Sequence, residues 1–344
     1  MAQESSRHHY VPAFYLAQFN HGGGQDDPFY IFDLEHQKRW KSTPRGSGHE
    51  KDFYRVEVDG VDPLVIENEF LRDQVETPAA PALKRILATA RGSANVGARW
   101  AVVDPEDLSR LLMFVAVQAV RGPDHRAHLD DLYTQVATSI MQRLAASDES
   151  FEQHKAVDSS LADLSRDDVK KVLRDPKLRM TVDRATQIST FLPLVPTVLE
   201  TLWQRSWGLS LVPPGSPALI TTDKPVVRIP HSSLPDGMPV GFGSPGSSVI
   251  MPLARNAVLR GHWLDAPSEE RVEVRYMSAD EVPLVNQIVA SVAHRFVYCA
   301  DDDFVLAADL EGGCEAYQEL FKRAKSGIRE RDLRAQRQAQ RRGR

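Results

Sequence analysis

Cysteine is nearly missing from this chain: Cys299 and Cys314 are the only two in 344 residues. Their spacing fits neither a zinc knuckle nor a dithiol redox pair, so two reduced thiols in a cytoplasmic protein are the expectation. Long apolar runs are missing too. The best candidate, residues 111–120, contains Gln118 and falls well short of the roughly 18–20 residues a membrane helix needs. The start has no basic segment followed by an apolar one, which argues against a secretory signal and against a membrane partner. There is no internal repeat. Aromatics make up only 8 % of the chain, yet Tyr10, Phe14, Tyr15 and Phe19 crowd into its opening.

Charged residues make up an ordinary 26 % of the chain, but net charge is small and unevenly spread. The net value is −5, but residues 322–344 carry ten Lys or Arg against two acids. That basic C-terminal helix or tail could attract phosphates. The body is acidic, which disfavours a broad nucleic-acid surface and leaves small anionic molecules open as partners.

What is present starts with Arg7-His8-His9-Tyr10-Val11-Pro12. Imidazoles bind metals and move protons near neutral pH. Chain starts are usually polar and frayed, so so much aromatic surface implies burial. Neighbours on an extended segment face opposite ways, so one of the two histidines should face inward. Pro12 biases Val11 to extended geometry.

Further along, 29–34 reads as a strand, and 53–58 alternates before the turn signal Asp59-Gly60, which predicts a hairpin or sheet edge. Residues 65–91 turn helical, with a break near Thr77-Pro78. Asp104-Pro105-Glu106 is a helix start, with an Asp cap and Pro at the first position. Residues 146–180 are polar and charged and read as a loop with short helices, a lid or a mobile insertion. From Trp207 short β-rich runs follow one another, separated by Gly, Pro and Ser, with a helix at 279–292 and a strand at 295–299. Strands and helices are segregated rather than alternating. This predicts an α+β fold, a helical central bundle on a mostly antiparallel sheet. The expected boundaries are one domain over 1–321, with a helical part at about 62–206 and a strand-rich part at about 207–300, followed by the 322–344 tail.

Several side chains are candidates for chemistry. His9 is either a packed core imidazole or a base and metal ligand. Glu69 and Glu76, seven apart, share nearly one face of an α-helix, with Glu67 off that line. An inward carboxylate there is a candidate metal ligand or general base. Gln118 and Arg121 end an apolar helix, and a buried Arg needs an acid or a phosphate. His125 and His128 suit a polar helix start better than a chelate. Thr222-Asp223-Lys224-Pro225 closes a strand, where Asp223 either makes a turn or serves a site. Gly241-Phe-Gly-Ser-Pro-Gly246 matches a dinucleotide fingerprint only in letters, because Pro245 interrupts it and no helix follows. His21-Gly-Gly-Gly24 lacks the nucleophile elbow that an esterase would add.

Taken together, His9-Tyr-Val-Pro-x-Phe-Tyr-Leu-x-x-Phe19, the acidic helix around Glu67 to Glu76, Gln118-x-x-Arg121, Thr222-Asp223-x-Pro225 and Met251-Pro-Leu resemble the bacterial domain-of-unknown-function family 4238. Many relatives read Ser-Asp-Asn-Pro where this chain has Thr222-Asp223-Lys224-Pro225. The resemblance implies no activity.

Two expectations stand against each other. In one, His9, Arg121 and Asp223 form the catalytic group of a hydrolase-like enzyme, of nuclease or phosphoester-hydrolase type. There His9, Glu76 and Asp223 hold a divalent metal ion and Arg121 steadies an anion. In the other, the same residues form a structural polar core within a non-catalytic binding or sensing module.

Overall fold

A computed structural model describes residues 7–157, 163–175, 177–230, 240–263, 268–278 and 281–302. The basic segment 322–344 lies outside them. The chain divides into two compact units, one from residues 1–122 and 191–344, the other from 123–190.

The larger unit begins with β1 (Arg7–His9) and the short helix α1 (Ala13–Leu16). Three strands follow, β2 (Phe29–Asp33), β3 (Lys38–Ser42) and β4 (His49–Lys51). β1 pairs antiparallel with β4, placing His9 opposite His49. That close approach depends on Gly48, whose φ is +65° and where an added Cβ would lie 2.9 Å from the Val11 carbonyl oxygen. No side chain fits there, and the left-handed backbone suits only glycine without strain.

The expected strand at 53–58 is not formed. Phe53, Tyr54 and Val56 are buried while Val58 is exposed, so the burial does not alternate. The amides take other partners. Tyr54 N–H donates to His8 Nδ1 at 2.9 Å, and Val56 N–H donates to the Pro63 carbonyl at 3.0 Å. A buried backbone must find hydrogen bonds, but a ladder is only one way to supply them.

Residues Ile66–Glu76 form a π-helix that runs directly into α2 (Thr77–Asn95). Pro78 and Pro81 offer a physical cause. A proline ring collides with the carbonyl four residues before it and cannot donate to it. Upstream of Pro78 the chain instead bonds five residues back, as in Thr77 N–H to the Arg72 carbonyl, and the wider turn relieves that collision.

After β5 (Trp100–Val102), α3 (Pro105–Gln118) starts at Asp104, whose side chain accepts from Glu106 N–H. Leu108, Leu111, Leu112, Phe114, Val115 and Val117 are all fully buried. A helix apolar on nearly every side belongs at the centre of a core, and α3 packs on α2 and on α8 (Leu194–Trp203). Each such side chain contributes about 1.5–3 kcal/mol by leaving water.

The smaller unit holds α4 (Pro123–Ala146), α5 (Asp148–Val157), α6 (Arg166–Leu173) and most of α7 (Arg184–Phe191). α6 opens with a reciprocal capping box between Ser165 and Asp168. Among the described residues of 146–180 the expected short helices are α5 and α6.

The remaining elements are β6 (Ser206–Leu211), β7 (Thr221–Thr222), β8 (Val227–Ile229), β9 (Ser248–Ala254), β10 (Ala257–His262), β11 (Arg271–Tyr276), α9 (Glu281–Ser291) and β12 (Phe296–Cys299). Six strands form a sheet in the order β5-β11-β6-β10-β9-β8, and four form another in the order β3-β2-β12-β7. All pairings are antiparallel except β11 with β6. The fold is mixed α+β. Among the described residues no helix is long and apolar enough to cross a membrane.

Candidate functional site

The front end of the chain is buried, and it delivers its two histidines to different surroundings. His8 is fully buried and accepts from the backbone of Tyr54. His9 is half-buried, with Nε2 3.3 Å from the Arg45 carbonyl oxygen and its ring edge-on to His49 at 5.3 Å. Burial, the charge of His49 and the Arg121 guanidinium push the His9 pKa down to about 4. The imidazole is therefore neutral at pH 7.

Arg121 projects just beyond α3, and its side chain is wholly buried. Nη1 donates to Glu76 Oε1 at 2.9 Å and Nε donates to the Tyr10 carbonyl at 3.1 Å. With the Gln118 amide oxygen turned toward the guanidinium, it accepts from Nη2 at 2.5 Å and from Nε at 2.6 Å. The Tyr54 hydroxyl donates to the Arg121 carbonyl at 3.1 Å. A buried cation is stable only with such a full set of acceptors.

The π-helix supplies the acids and corrects one expectation. Bonding five residues back gives about 4.4 residues per turn, so positions nine apart return to the same face. Glu67 and Glu76 are nine apart and share that face, while Glu69 is exposed. An α-helix would have put Glu67 and Glu76 on opposite sides. Glu67 feels the charges of both Glu76 and Arg121 and lies against the backbone N–H of His9. Burial, reinforced by the charge of Glu76, raises its pKa to about 7. Its Oε2 is buried and has no hydrogen-bond partner among the described residues. Burial also raises the pKa of Glu76, with Arg121 pulling the other way.

Asp223, the third residue of the expected catalytic and metal groups, is held by backbone amides. It is 1 % exposed. Its Oδ1 accepts from His294 N–H at 2.8 Å, and its Oδ2 accepts from Arg295 N–H at 2.7 Å and Phe296 N–H at 2.8 Å. The carboxylate thus ties the turn after α9 to the start of β12. Its charge also acts on Tyr10 and Tyr298, whose hydroxyls are hydrogen-bonded to each other. Burial raises the pKa of both phenols. The structure therefore brings together His9, Glu67, Glu76 and Arg121, and gives Asp223 to the backbone.

His9, Glu76 and Asp223 do not offer three donor atoms within one ion's reach. Among the described residues the trio that does is Asp33, Glu35 and His36, whose donor atoms lie within 4.8 Å of one another and could hold a metal ion. A cation of the protein's own already sits there. Arg295 donates to Asp33 from Nε at 3.1 Å and from Nη2 at 2.8 Å, and its Nη1 is 3.1 Å from Glu35. The Asp33 pKa is held well below the carboxylate range, first by Arg295. A metal ion would have to share its ligands with that guanidinium, which is a poor fit.

Sequence reasoning overlooked Tyr10, Tyr54, Tyr298 and His49 as polar partners. Their hydroxyls and ring nitrogens sit among aromatic residues that read simply as core.

The class is thus a mixed α+β protein with a buried imidazole, acid and guanidinium group at its front strand. The chain matches the family described as "Protein of unknown function (DUF4238)" over residues 7–303, and it belongs to that family. No curated protein and no solved structure matches it.

Proposed function

We propose that the protein is a hydrolase that works by general acid–base catalysis at the front strand, acting on a small anionic ester of the phosphoester class. The observation that carries this reading is Glu67: a buried carboxyl oxygen without a hydrogen-bond partner among the described residues, held by the π-helix beside His9. Natural proteins rarely leave such an atom unsatisfied without a use for it. The environments invert the ordinary order of the two groups. His9 is pushed down to about 4 and Glu67 up to about 7. Between those values the imidazole is free to take a proton and the carboxyl still has one to give. Pairs separated in this way assign base and acid.

In this scheme His9 removes a proton from the attacking water, and Glu67 delivers its proton to the departing oxygen. Arg121 is saturated by protein acceptors, so it acts as a positioning residue that keeps Glu76 in place. The charges of Arg45 and Arg7 bear on His9 and His49, which suits an anionic substrate. The acidic body suits a small one. A metal is not required by this route.

The test is hydrolysis of p-nitrophenyl phosphate, bis(p-nitrophenyl) phosphate and p-nitrophenyl acetate by wild type, Glu67→Gln and His9→Gln, in the presence of EDTA. We expect a bell-shaped pH profile with limbs near 4 and 7, lost in both variants. Wild type without turnover of any of the three, or variants with unchanged rates, overturns the reading.

The saturated state of Arg121 and Asp223 favours a second reading, a polar core that is purely structural. It predicts that Glu67→Gln leaves every activity and binding property of the protein unchanged.

A further inference from the structure

Three prolines lie close together in the connection from β6 to β7, Val212-Pro-Pro-Gly-Ser-Pro217. Each fixes its own φ and has no N–H to give, and Gly215 turns the chain at a φ of +82°. The connection is a stiff wall. On another side of the same cleft is the turn between β9 and β10, which consists of Arg255 and Asn256. Three backbone bonds pin that turn. Arg255 N–H donates to the Gln18 carbonyl at 3.0 Å, and the carbonyls of Arg255 and Asn256 accept from Leu219 N–H at 2.7 Å and Val212 N–H at 3.0 Å. The last turns of α2 add Arg91 and Asn95, four apart and so on one helix face. Arg91 Nη2 donates to Asn256 Oδ1 at 2.9 Å, and the Tyr276 hydroxyl donates to Asn95 Oδ1 at 3.1 Å. The cleft between these walls holds about 380 Å³, within the size range of small-molecule sites.

The charges at this cleft are unequal. Arg91 is held by a neutral amide oxygen. Arg255 is half-buried, and its guanidinium has neither a hydrogen bond nor an ion pair among the described residues. The one acid lining the cleft among those residues is Asp301, whose Oδ1 is 2.7 Å from His21 Nε2. Two guanidinium groups thus meet one carboxylate that already has a partner. A guanidinium without an acceptor, carried on a pinned turn beside a second one, is preorganised for an oxyanion. Phosphate suits two forks better than carboxylate does, because it offers three oxygens and nearly two charges. The prolines and the Tyr276 ring supply apolar surface next to it.

We propose that this cleft binds a phosphate monoester with a flat body, its phosphate taken by the forks of Arg255 and Arg91 and its body against the prolines and Tyr276. The site shares no residue with the front strand. The probe is phenylphosphonate, whose carbon–phosphorus bond resists hydrolysis, with dimethyl phenylphosphonate as its uncharged counterpart. Binding to the full chain is followed by calorimetry and by the phosphorus NMR signal of the probe. We expect saturable one-to-one binding of phenylphosphonate. The dimethyl ester should bind about tenfold more weakly, the size of one charge-assisted hydrogen bond. Arg255→Gln and Arg91→Gln should each weaken phenylphosphonate by roughly the same factor. Arg255→Lys, which keeps the charge and loses the fork, should fall between wild type and Arg255→Gln. Absence of saturation, equal affinity for acid and ester in the wild type, or unchanged affinity in either glutamine variant overturns the proposal. Arg91 is exposed, so its replacement spares the core, and the comparison of the two probes on wild type needs no variant at all.

Discussion

Asp223 and Glu67 are both acids in largely buried surroundings, and they have opposite inventories. Asp223 has three backbone amides on two oxygens. Glu67 has an oxygen with no hydrogen-bond partner among the described residues. The first arrangement is what a fold builds when it needs a joint between a helix and a strand. The second raises the free energy of the native state, and such a cost persists where it serves a function. Burial of an acid is therefore uninformative by itself. The list of its partners separates a joint from a candidate reaction centre.

The comparison breaks most visibly in activity. Glu67→Gln should lower turnover of whichever nitrophenyl ester the wild type hydrolyses by about 10²–10⁴-fold, the usual contribution of one acid or base, in steady-state assays at pH 5.5. Next in size is Arg121→Met. It leaves Glu76 buried without its cation and should cost roughly 3–5 kcal/mol in urea unfolding. Combining it with Glu76→Gln should recover part of that loss. Asp223→Ala should cost about 2–4 kcal/mol through its orphaned amides, with Asp223→Asn intermediate, and neither should change the pH profile of any activity.

The smallest effect carries the opposite sign. The Glu67 pKa is raised from 4.5 to about 7. Between those values the unfolded chain releases a proton that the native state keeps, so stability falls as pH rises through that window. Glu67→Gln removes the penalty. It should stabilise the protein at pH 8, by roughly 1–3 kcal/mol at most, and have little effect at pH 4. Thermal melts at the two pH values check this. A variant that gains stability while losing turnover would sharpen the contrast with Asp223.

Much of the fold was legible because it rests on local chemistry. Asp104-Pro105 announced α3, and β6 and β10 followed the expected β-rich runs closely, whereas β9 continues through Pro252 and β7 is only Thr221–Thr222. The family was legible from the His9 motif. The 53–58 segment was misread because its amides bond to His8 and to the Pro63 carbonyl instead of a neighbouring strand, so the alternating sequence neither pairs nor buries alternate residues. The pairing of Glu67 with Glu76 was hidden because spacing arguments assume an α-helical pitch, and the two prolines that favour a wider one act from outside the acidic segment. Asp223 was ambiguous for another reason: its partners are amides 71 to 73 residues away, and amides leave no mark on side-chain composition.

The front strands meet the last ones: β2 is hydrogen-bonded to β12, and the Tyr15 hydroxyl bonds to Thr221 and to the Pro252 carbonyl. On the ribosome, β2 must therefore wait for β12, made long after it, before this pairing can form. Contacts of such long range slow folding and expose unfinished surfaces meanwhile. A nascent chain stalled before β12 would hold its imidazoles and aromatic rings open to solvent, so this protein should depend on chaperones during synthesis more than its size alone suggests.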